Sequence, residues 1–241
     1  MKFLTVSGPP GCGKTSVILK ALAGLPAGSK CGVVKFDCLS TFDDRRYRAA
    51  GHITAVGLSG SVCPDHYYVT NIEDCLLWGI ENGLDYLISE SAGLCNRCSP
   101  HIRGALAVCM VDVLSGVETP RTIGPMLKLA DVVVVTKGDI VSQAEREVFA
   151  ARVAESNPAA EILFVNGLTG QGVFALTRRI AAAADQTHLI GQQLRFCMPA
   201  AMCTFCYGET RVMKGYRNGN IPPVRYDAAA AVAGGEDDGL R

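Results

Sequence analysis

The chain has 241 residues, of which 49% are hydrophobic, and its 23 Lys and Arg balance its 23 Asp and Glu. A chain of this length and composition is expected to form one α/β domain with an appendage. The zero net charge and the lack of a basic cluster argue against nucleic acid as a partner. No apolar run approaches the roughly 18 to 20 residues of a membrane-spanning helix, and no signal peptide is recognisable. We therefore predict a cytoplasmic protein with no membrane partner.

Apolar runs and helical periodicity predict alternating strands and helices along most of the chain. The predicted strands are 2–7, 32–37, 54–58, 84–89, 106–114, 132–136 and 161–165. The predicted helices are 15–25, 70–81, 143–155 and 172–184. Short, nearly continuous apolar strands joined by helices are typical of a doubly wound, mostly parallel sheet with helices on both faces.

The regular pattern ends near residue 184, which suggests three parts of the chain. We expect residues 1–190 to form the main domain. Residues 191–225 lose periodicity and contain three cysteines, which predicts a cysteine-rich extension that binds a metal or a cluster. Residues 226–241 are low in complexity and predict a flexible tail.

A glycine-rich loop follows the first predicted strand and opens the first predicted helix. It matches G-x-x-x-x-G-K-S/T, the P-loop that binds nucleotide phosphates. Backbone N–H groups are expected to bind phosphate oxygens, while Lys14 stabilises the outer phosphates during catalysis and Thr15 ligates Mg²⁺. The predicted phosphate-binding residues are Gly8, Pro9, Pro10, Gly11, Cys12, Gly13, Lys14, Thr15 and Ser16. The expected fold is therefore that of a P-loop NTPase.

Two carboxylates stand at the ends of predicted strands, where a Mg²⁺ site beside a P-loop would need them. Asp37 ends the strand 32–37, and Glu90 directly follows the strand 84–89. We predict that both help to hold Mg²⁺ and to position the attacking water. Gly93 comes three residues after Glu90 and would allow the backbone to approach the γ-phosphate closely.

A second motif predicts the nucleotide base. Thr136-Lys137-Gly138-Asp139 follows a buried strand and fits N/T-K-x-D. The carboxylate of Asp139 can accept both the N1 and N2 protons of guanine, a donor pair that adenine lacks, while the stem of Lys137 covers the ring. Asn166, after the next strand, is placed to close the far side of the base. These residues predict GTP as the nucleotide.

Cysteines and a histidine near the nucleotide motifs predict a metal site. The sequence has eleven cysteines, and an odd number in a cytosolic protein favours metal ligands or redox groups over disulfides. Cys63 and His66 lie in a loop before the Glu90 strand, and Cys95 and Cys98 follow that strand. Thiolate and imidazole ligands suit Ni²⁺ or Zn²⁺. Asp65 is the alternative to His66 as a ligand.

Six further cysteines form two groups. Cys31, Cys75 and Cys109 lie in apolar runs and are predicted to be buried hydrophobic residues. Cys197, Cys203 and Cys206 lie in a segment without periodicity and predict a structural Zn²⁺ site or an Fe–S cluster, with redox-active or free thiols as the alternative. A fourth ligand would come from Cys95, Cys98 or a second subunit.

Several motifs of this chain, and the order in which they occur, resemble those of one protein family. The matching pieces are GPPGCGKTS at 8–16, KFD at 35–37, Cys-Pro at 63–64, SESAGLC at 89–95, VETPRTIGPML at 117–127 and TKGD at 136–139. Over about residues 1–185 the chain resembles the nickel-insertion GTPases of hydrogenase and urease maturation, members of the SIMIBI class of P-loop NTPases. The resemblance implies a doubly wound fold, GTP bound across a homodimer, slow hydrolysis and nucleotide-controlled delivery of a metal to an apo-enzyme.

The chain departs from both family branches in its cysteine pattern. Asp65 separates the Cys-Pro pair from His66, two cysteines follow the Glu90 strand, and the segment 197–206 is added. Nickel is the first expectation for the cargo, with cobalt, zinc or an Fe–S cluster as alternatives.

The sequence is compatible with three functions. The first is a homodimeric, Mg²⁺-dependent GTPase that acts as a metallochaperone and whose partner is an apo-metalloenzyme client or an accessory maturation protein. The second is a nucleotide-dependent activator or reductase that carries an Fe–S cluster. The third is a P-loop kinase for a small molecule, with Arg45, Arg46 and Arg48 as its lid, although the TKGD motif has no role in such an enzyme.

Overall fold

The computed structural model describes residues 1–93, 96, 98–189, 192–196, 210–212, 215 and 221–226. Its strands are β1 (Lys2–Ser7), β2 (Cys31–Asp37), β3 (Ile53–Leu58), β4 (Tyr86–Ser91), β5 (Leu106–Asp112), β6 (Val132–Thr136), β7 (Glu161–Val165) and β8 (Arg225–Tyr226). Its helices are α1 (Lys14–Ala23), α2 (Asp43–Ala49), α3 (Pro64–Glu81), α4 (Thr119–Thr122), α5 (Pro125–Lys128), α6 (Gln143–Ser156) and α7 (Val173–Ala181).

All described strands form one sheet, in the order β7-β6-β5-β1-β4-β2-β3-β8. The first seven strands pair in parallel, and β8 pairs antiparallel with β3 at one edge. The predicted doubly wound α/β fold of a P-loop NTPase is confirmed. The carboxyl ends of the central strands therefore meet at one edge of the sheet, where ligands of such folds bind.

Alternating side chains of the central strands pack on two helical layers, because successive strand residues face opposite sides of the sheet. Phe3 of β1 packs in the same cluster as the buried face of α3. Its neighbour Leu4 belongs to the cluster that holds α1 and α7. Cys109 of β5 packs with α5 and α6 in a third cluster. Helices thus cover both faces of the sheet.

The predicted elements differ from the observed ones mainly at helix α3 and at α2. Helix α3 starts at Pro64 rather than at residue 70. Cys63 occupies the N-cap position, and Pro64 is favoured in the first turn because its missing N–H costs no hydrogen bond there. Helix α2 has seven residues with Tyr47 as its buried one, too few to produce a periodic apolar pattern. None of the helices in the described part of the chain has the length and hydropathy needed to cross a bilayer.

The described parts of the C-terminal region pack on the main domain. Leu194, Val212, Ile221 and Val224 are buried in the cluster that contains α3. The guanidinium of Arg195 donates to Asp131 Oδ1 and Oδ2 and to the carbonyl oxygens of Ile102, Ala105 and Leu129. The predicted boundary at residue 226 falls inside β8, where Tyr226 pairs with Ala55.

Candidate functional site

The P-loop connects β1 to α1 at the carboxyl edge of the sheet. Gly8 has φ +138°, and a Cβ added there would lie 2.0 Å from the carbonyl oxygen of Met110 in β5. Gly13 caps α1 with φ 89°, a left-handed conformation that glycine adopts without a steric penalty. The glycines therefore allow the loop to pack closely on β5 and to present the N-terminus of α1.

Lys14 lies inside this loop. Its side chain is 6% exposed, and Nζ donates to the carbonyl oxygens of Gly8 at 2.7 Å and of Pro9 at 2.9 Å. A cleft of about 320 Å³ opens beside it. The cleft is lined by Pro10, Gly11, Gly13, Lys14, Thr15, Ser16, Lys35, Asp37, Asp43, Arg46, Glu90 and Ala92. The structure thus brings Lys14, Thr15, Asp37 and Glu90, predicted from separate motifs, to one cleft.

Glu90 lies at the centre of a buried polar network. Its carboxylate accepts hydrogen bonds from Thr15 Oγ1 at 3.1 Å, Lys35 Nζ at 2.7 Å and the hydroxyl of Tyr47 at 2.6 Å. A buried carboxylate is costly unless it is paired and hydrogen-bonded, and these three donors meet that need. They hold the carboxylate of Glu90 in one orientation beside the P-loop.

Lys35 connects this network to helix α2. Its Nζ lies 3.0 Å from the carboxylate of Asp43 as well as 2.7 Å from that of Glu90. Burial opposes the charge of Lys35, but the two carboxylates outweigh that effect and raise its pKa. The same ion pair lowers the pKa of Asp43, although burial alone would raise it.

The oxygen atoms in the cleft fit Mg²⁺. The hydroxyl of Thr15 and the carboxylate of Glu90 are adjacent, and Asp37 lines the same cleft at the end of β2. Hydroxyl and carboxylate oxygens are the ligands that Mg²⁺ prefers, together with water and substrate phosphates. Asp37 Oδ1 also accepts a hydrogen bond from the backbone N–H of Cys38 at 2.8 Å, which fixes the start of the following loop.

Gly93 lies directly on the P-loop. It has φ +70°, and a Cβ added to it would lie 1.8 Å from the carbonyl oxygen of Gly8. Gly93 therefore touches Gly8 of the P-loop through backbone atoms. The predicted approach of Gly93 to the γ-phosphate stays a prediction, and the structure places Gly93 against Gly8 of the P-loop.

The predicted base-binding residues lie at the ends of β6 and β7. Thr136 Oγ1 donates to the carbonyl oxygen of Cys12 at 2.7 Å, which joins this motif to the P-loop. Lys137 has φ 59°, and its Nζ lies 3.3 Å from the carboxylate of Asp112 at the end of β5. Asp139 and Asn166 line one cavity of about 180 Å³.

Asn166 also shapes its own loop. Its Oδ1 accepts hydrogen bonds from the backbone N–H groups of Leu168 at 2.8 Å and Thr169 at 3.0 Å. The next residue, Gly167, packs close to Ser16, since an added Cβ would lie 3.2 Å from the Cβ of Ser16. Asn166 therefore positions the loop beside the first turn of α1, in addition to lining the cavity.

The predicted metal ligands that the structure describes lie near the start of α3. Cys63 caps this helix, so the Cys-Pro element begins a helix and is not the predicted loop. His66 is completely buried, and Cys98 is 7% exposed in the cluster beneath α3. The predicted ligands Cys95, Cys197, Cys203 and Cys206 lie outside the described residues.

Asp65 and Cys98 meet within this region. Burial raises the pKa of the Asp65 carboxyl to about 6, and a hydrogen bond with the Cys98 side chain opposes that shift. Asp65 Oδ2 is buried and has no hydrogen-bond partner among the residues that the structure describes. Across the described residues, no three His, Cys, Asp or Glu side chains gather as a metal-binding group. The metal assignments of Cys63, His66 and Cys98 stay predictions, and Asp65 is the acidic neighbour of Cys98.

The core cysteines behave as predicted. Cys31, Cys75 and Cys109 are buried and not in disulfides. Burial raises the pKa of Cys31 to about 11 and those of Cys75 and Cys109 to about 12. These thiols are therefore protonated at neutral pH and contribute packing.

Four residues that contribute to the site are not among those predicted from the sequence, namely Lys35, Asp43, Tyr47 and Asp112. Lys35 carries a signal, since it is the charged residue inside the otherwise apolar strand CGVVKF. Tyr47 and Asp43 carry none, because their helix is short and polar. Asp112 ends β5 as Asp37 ends β2, so the strand-end rule that selected Asp37 also applies to it.

Comparison with known proteins decides the family. Residues 2–164 match the family described as the CobW/HypB/UreG nucleotide-binding domain. The chain belongs to this family. The match contains the P-loop, both strand-end carboxylates and the TKGD motif, and it ends before the cysteine-rich segment. The predicted family is therefore confirmed at the level of the CobW/HypB/UreG nucleotide-binding domain.

Individual proteins are similar to this chain in sequence or in fold. An uncharacterised protein of Methanocaldococcus jannaschii is 49% identical over 220 residues, which are 91% of this chain and 94% of that protein. The hydrogenase maturation factor HypB of Archaeoglobus fulgidus shares the fold with a TM-score of 0.61 at 22% identity, over 75% of this chain and 89% of that one. HypB of Helicobacter pylori, solved in complex with nickel, has a TM-score of 0.60 at 20% identity, over 78% and 91% of the chains.

Proposed function

We propose that this member of the CobW/HypB/UreG family is a Mg²⁺-dependent GTPase that couples GTP binding and hydrolysis to delivery of a metal ion, nickel first, to a metalloenzyme during its maturation. The observation that carries the proposal is the contact between Gly93 and the P-loop. Five residues after Gly93 the same segment reaches Cys98, so a nucleotide site and a thiol share one short stretch of chain.

Each part of the phosphate cleft has a role in this proposal. The N-terminus of α1 and the P-loop N–H groups bind the phosphates, and the ammonium of Lys14 exchanges its carbonyl partners for phosphate oxygens. Thr15, Asp37 and Glu90 would hold Mg²⁺, which supplies neutralisation of the developing phosphate charge. Glu90 already accepts from Thr15, Lys35 and Tyr47, so we assign the orientation of the attacking water to Asp37.

Guanine recognition is assigned to Asp139. Its carboxylate would accept the N1 and N2 protons of the base in the cavity that Asn166 also lines. Asp139→Asn replaces one acceptor oxygen with a donor, so affinity for GTP should fall while affinity for xanthosine triphosphate rises. Titration of both nucleotides against the wild type and Asp139→Asn checks the assignment. An unchanged preference for GTP in the variant would contradict it.

The metal is the cargo of the proposed cycle. Cys63, His66, Cys95 and Cys98 form the proposed delivery site, with Asp65 as the carboxylate neighbour of Cys98. Binding of GTP would fix Gly93 against the phosphates and bring the thiol segment into the ligating arrangement, and hydrolysis would release it. HypB of Helicobacter pylori has been solved with nickel, and this supports nickel as the first candidate ion.

The remaining assignments complete the proposal. The active unit is a homodimer in the cytoplasm, and its partner is an apo-metalloenzyme or an accessory maturation protein. Cys197, Cys203 and Cys206 belong to a C-terminal extension that binds zinc or a cluster. Residues 226–241 form the proposed tail, which begins with Tyr226, the last residue of β8.

Metal content tests the central claim. Anaerobically purified protein is incubated with Ni²⁺ and with a GTP analogue, an ATP analogue or no nucleotide, and bound metal and oligomeric state are measured. We expect the GTP analogue to increase bound nickel in the wild type and to have little effect in Cys63→Ala or Cys95→Ala. Cys109→Ala is the matched control, because its thiol is buried in the core.

Two outcomes would overturn the proposal. The first is an amount of bound metal that changes neither with nucleotide nor on substitution of Cys63 or Cys95. The protein would then be a nucleotide hydrolase whose thiols have no role in metal delivery. A brown protein containing iron and sulfide, whose colour is lost in Cys203→Ala and Cys206→Ala, would favour the cluster-containing activator instead.

A further inference from the structure

Helix α2 contains no recognised nucleotide-binding motif. It nevertheless contacts three elements that line the phosphate cleft, namely β2, β4 and α1. Asp43 forms an ion pair with Lys35 at 3.0 Å, and Tyr47 donates to Glu90 at 2.6 Å. Between them in the sequence, Arg46 donates from Nη2 to Ser16 Oγ at 3.0 Å. The helix is therefore fixed against the cleft at both of its ends and places Arg46 between those anchors.

The guanidinium of Arg46 lies at the mouth of the cleft. Its side chain is half exposed, and its Nη1 lies 3.7 Å from Asp43 Oδ1. A guanidinium has five N–H donors in one plane, so the contacts to Ser16 and Asp43 still allow it to donate to a ligand in the cleft. Arg46 also lines the cleft together with Lys14.

The three cations of the cleft are in different situations. Lys35 is buried and bonded to two carboxylates, so its charge is already matched. Lys14 lies within the P-loop, where it serves the outer phosphates. Arg46 contacts Ser16. Ser16 is the residue that follows Thr15 in the first turn of α1. The N–H groups at this end of a P-loop helix bind the inner phosphates.

The geometry points to Arg46 as a phosphate-binding residue that α2 supplies from the same chain to the inner phosphates of the nucleotide. This inference rests on the nucleotide site of the proposed function. The ligand class is a nucleoside di- or triphosphate, since both carry the inner phosphates. Arg46 therefore contributes to nucleotide affinity and is not assigned to the chemical step.

The other arginines of α2 are placed differently. Arg48 pairs with Asp44 and lines a separate cleft that contains Arg225 and Tyr226 of β8. Arg45 lies over the ring of Phe42, with its guanidinium carbon 5.3 Å from the ring centroid. The three arginines thus do not form the joint lid that a kinase would need, and Arg48 provides a matched control on the same helix.

The test compares Arg46→Gln with Arg48→Gln in the full chain, using Mg²⁺-GDP and a non-hydrolysable GTP analogue in calorimetric titrations. We expect Arg46→Gln to weaken both ligands by about ten-fold or more, the loss typical of a charge-assisted hydrogen bond. Arg48→Gln should bind both ligands as the wild type does. Arg46→Lys should recover part of the affinity, because it keeps the charge without the planar donor set.

The outcomes separate this inference from the proposed function. If the wild type binds neither guanine nucleotide, the proposed function itself fails. If the wild type binds and Arg46→Gln binds equally well, or loses only its hydrolysis rate at unchanged GDP affinity, the inference about Arg46 is wrong. Thermal unfolding of each variant identifies a variant that has lost its fold, and Arg46→Lys then gives the deciding affinity.

Discussion

Gly93 and Gly8 touch through their backbones, with space for no side chain between them. A Cβ on Gly93 would lie 1.8 Å from the Gly8 carbonyl oxygen, closer than any non-bonded contact allows. The two residues belong to different motifs, and their contact is what joins the segment after Glu90 to the P-loop.

Gly93→Ala should therefore disturb the P-loop. The added methyl group would clash with the carbonyl oxygen of Gly8. In addition, the left-handed conformation at φ +70° costs a residue with a Cβ about 1 to 2 kcal/mol. We expect the free energy of unfolding to fall by more than about 2 kcal/mol and GTP affinity to fall with it. Urea unfolding and nucleotide titration measure the two effects. Gly28→Ala is the control, because Gly28 has φ +84° with open space around it; equal losses in both variants would contradict the clash.

Tyr47→Phe should destabilise the protein through the carboxylate of Glu90. The substitution removes a buried donor 2.6 Å from a charged acceptor, and such hydrogen bonds contribute about 1.5 to 3 kcal/mol. Tyr68→Phe is the matched control, because Tyr68 is equally buried but its hydroxyl lies 3.5 Å from the neutral Ser89 Oγ. The control should lose less than about 1 kcal/mol in urea unfolding. A loss for Tyr47→Phe no larger than the control's would refute a stabilising role for the tyrosine.

His101 should make the protein sensitive to acid. The ring is completely buried, and its Nε2 donates to the carbonyl oxygen of Met126 at 2.9 Å, so Nδ1 accepts from Thr5 Oγ1 at 2.8 Å. Burial lowers the pKa of His101 to about 4. Above pH about 6.5 the ring is neutral in both states and contributes no pH dependence.

Below that pH the unfolded chain takes up the proton first, which favours unfolding. The cost should reach about 2 kcal/mol near pH 5 and about 3 kcal/mol near pH 4. Gln cannot titrate, so the stability of His101→Gln relative to the wild type should rise by these amounts as the pH falls. Urea unfolding of both proteins at several pH values gives the difference, and a difference independent of pH would show that His101 titrates normally.

Arg195→Lys should loosen the C-terminal region. Lysine keeps the charge but cannot reproduce the bidentate pair with Asp131 and the carbonyl contacts together. We expect a loss of about 2 kcal/mol in stability and faster proteolysis after residue 189. Arg152→Lys is the control, since Arg152 pairs with Glu155 and Glu118 at the surface, where such pairs contribute little. Identical protease resistance in Arg195→Lys and the wild type would argue against the tether.

The main fold and the motif residues were predictable because local signals specify them. Strands β1, β6 and β7 have the predicted bounds, since each is a short apolar run between turn residues. The P-loop carries its own spacing rule, and the strand-end carboxylates follow from the parallel sheet. The sequence therefore predicts Lys14, Thr15, Asp37 and Glu90 without any knowledge of the cleft that they line.

The partners of those residues depend on contacts that no local pattern contains. Glu90 receives its hydrogen bonds from Lys35 and Tyr47, which are 55 and 43 residues away in the sequence. Strand β8 has only two residues, and it forms through antiparallel pairing with the outer strand β3. Arg46, whose guanidinium donates to Ser16, lies in helix α2, which is too short and too polar to be predicted from periodicity. Long-range packing, rather than periodicity, decides these features.

Strand β8 also has a protective consequence. An uncovered outer strand presents unpaired N–H and C=O groups to which another molecule can add a strand. The pairing of Val56 with Arg225 and of Ala55 with Tyr226 occupies that position on β3 with the protein's own chain. A variant truncated before Arg225 would lack β8, so the outer edge of β3 would be exposed to strand addition. We expect this variant to aggregate although it is otherwise folded.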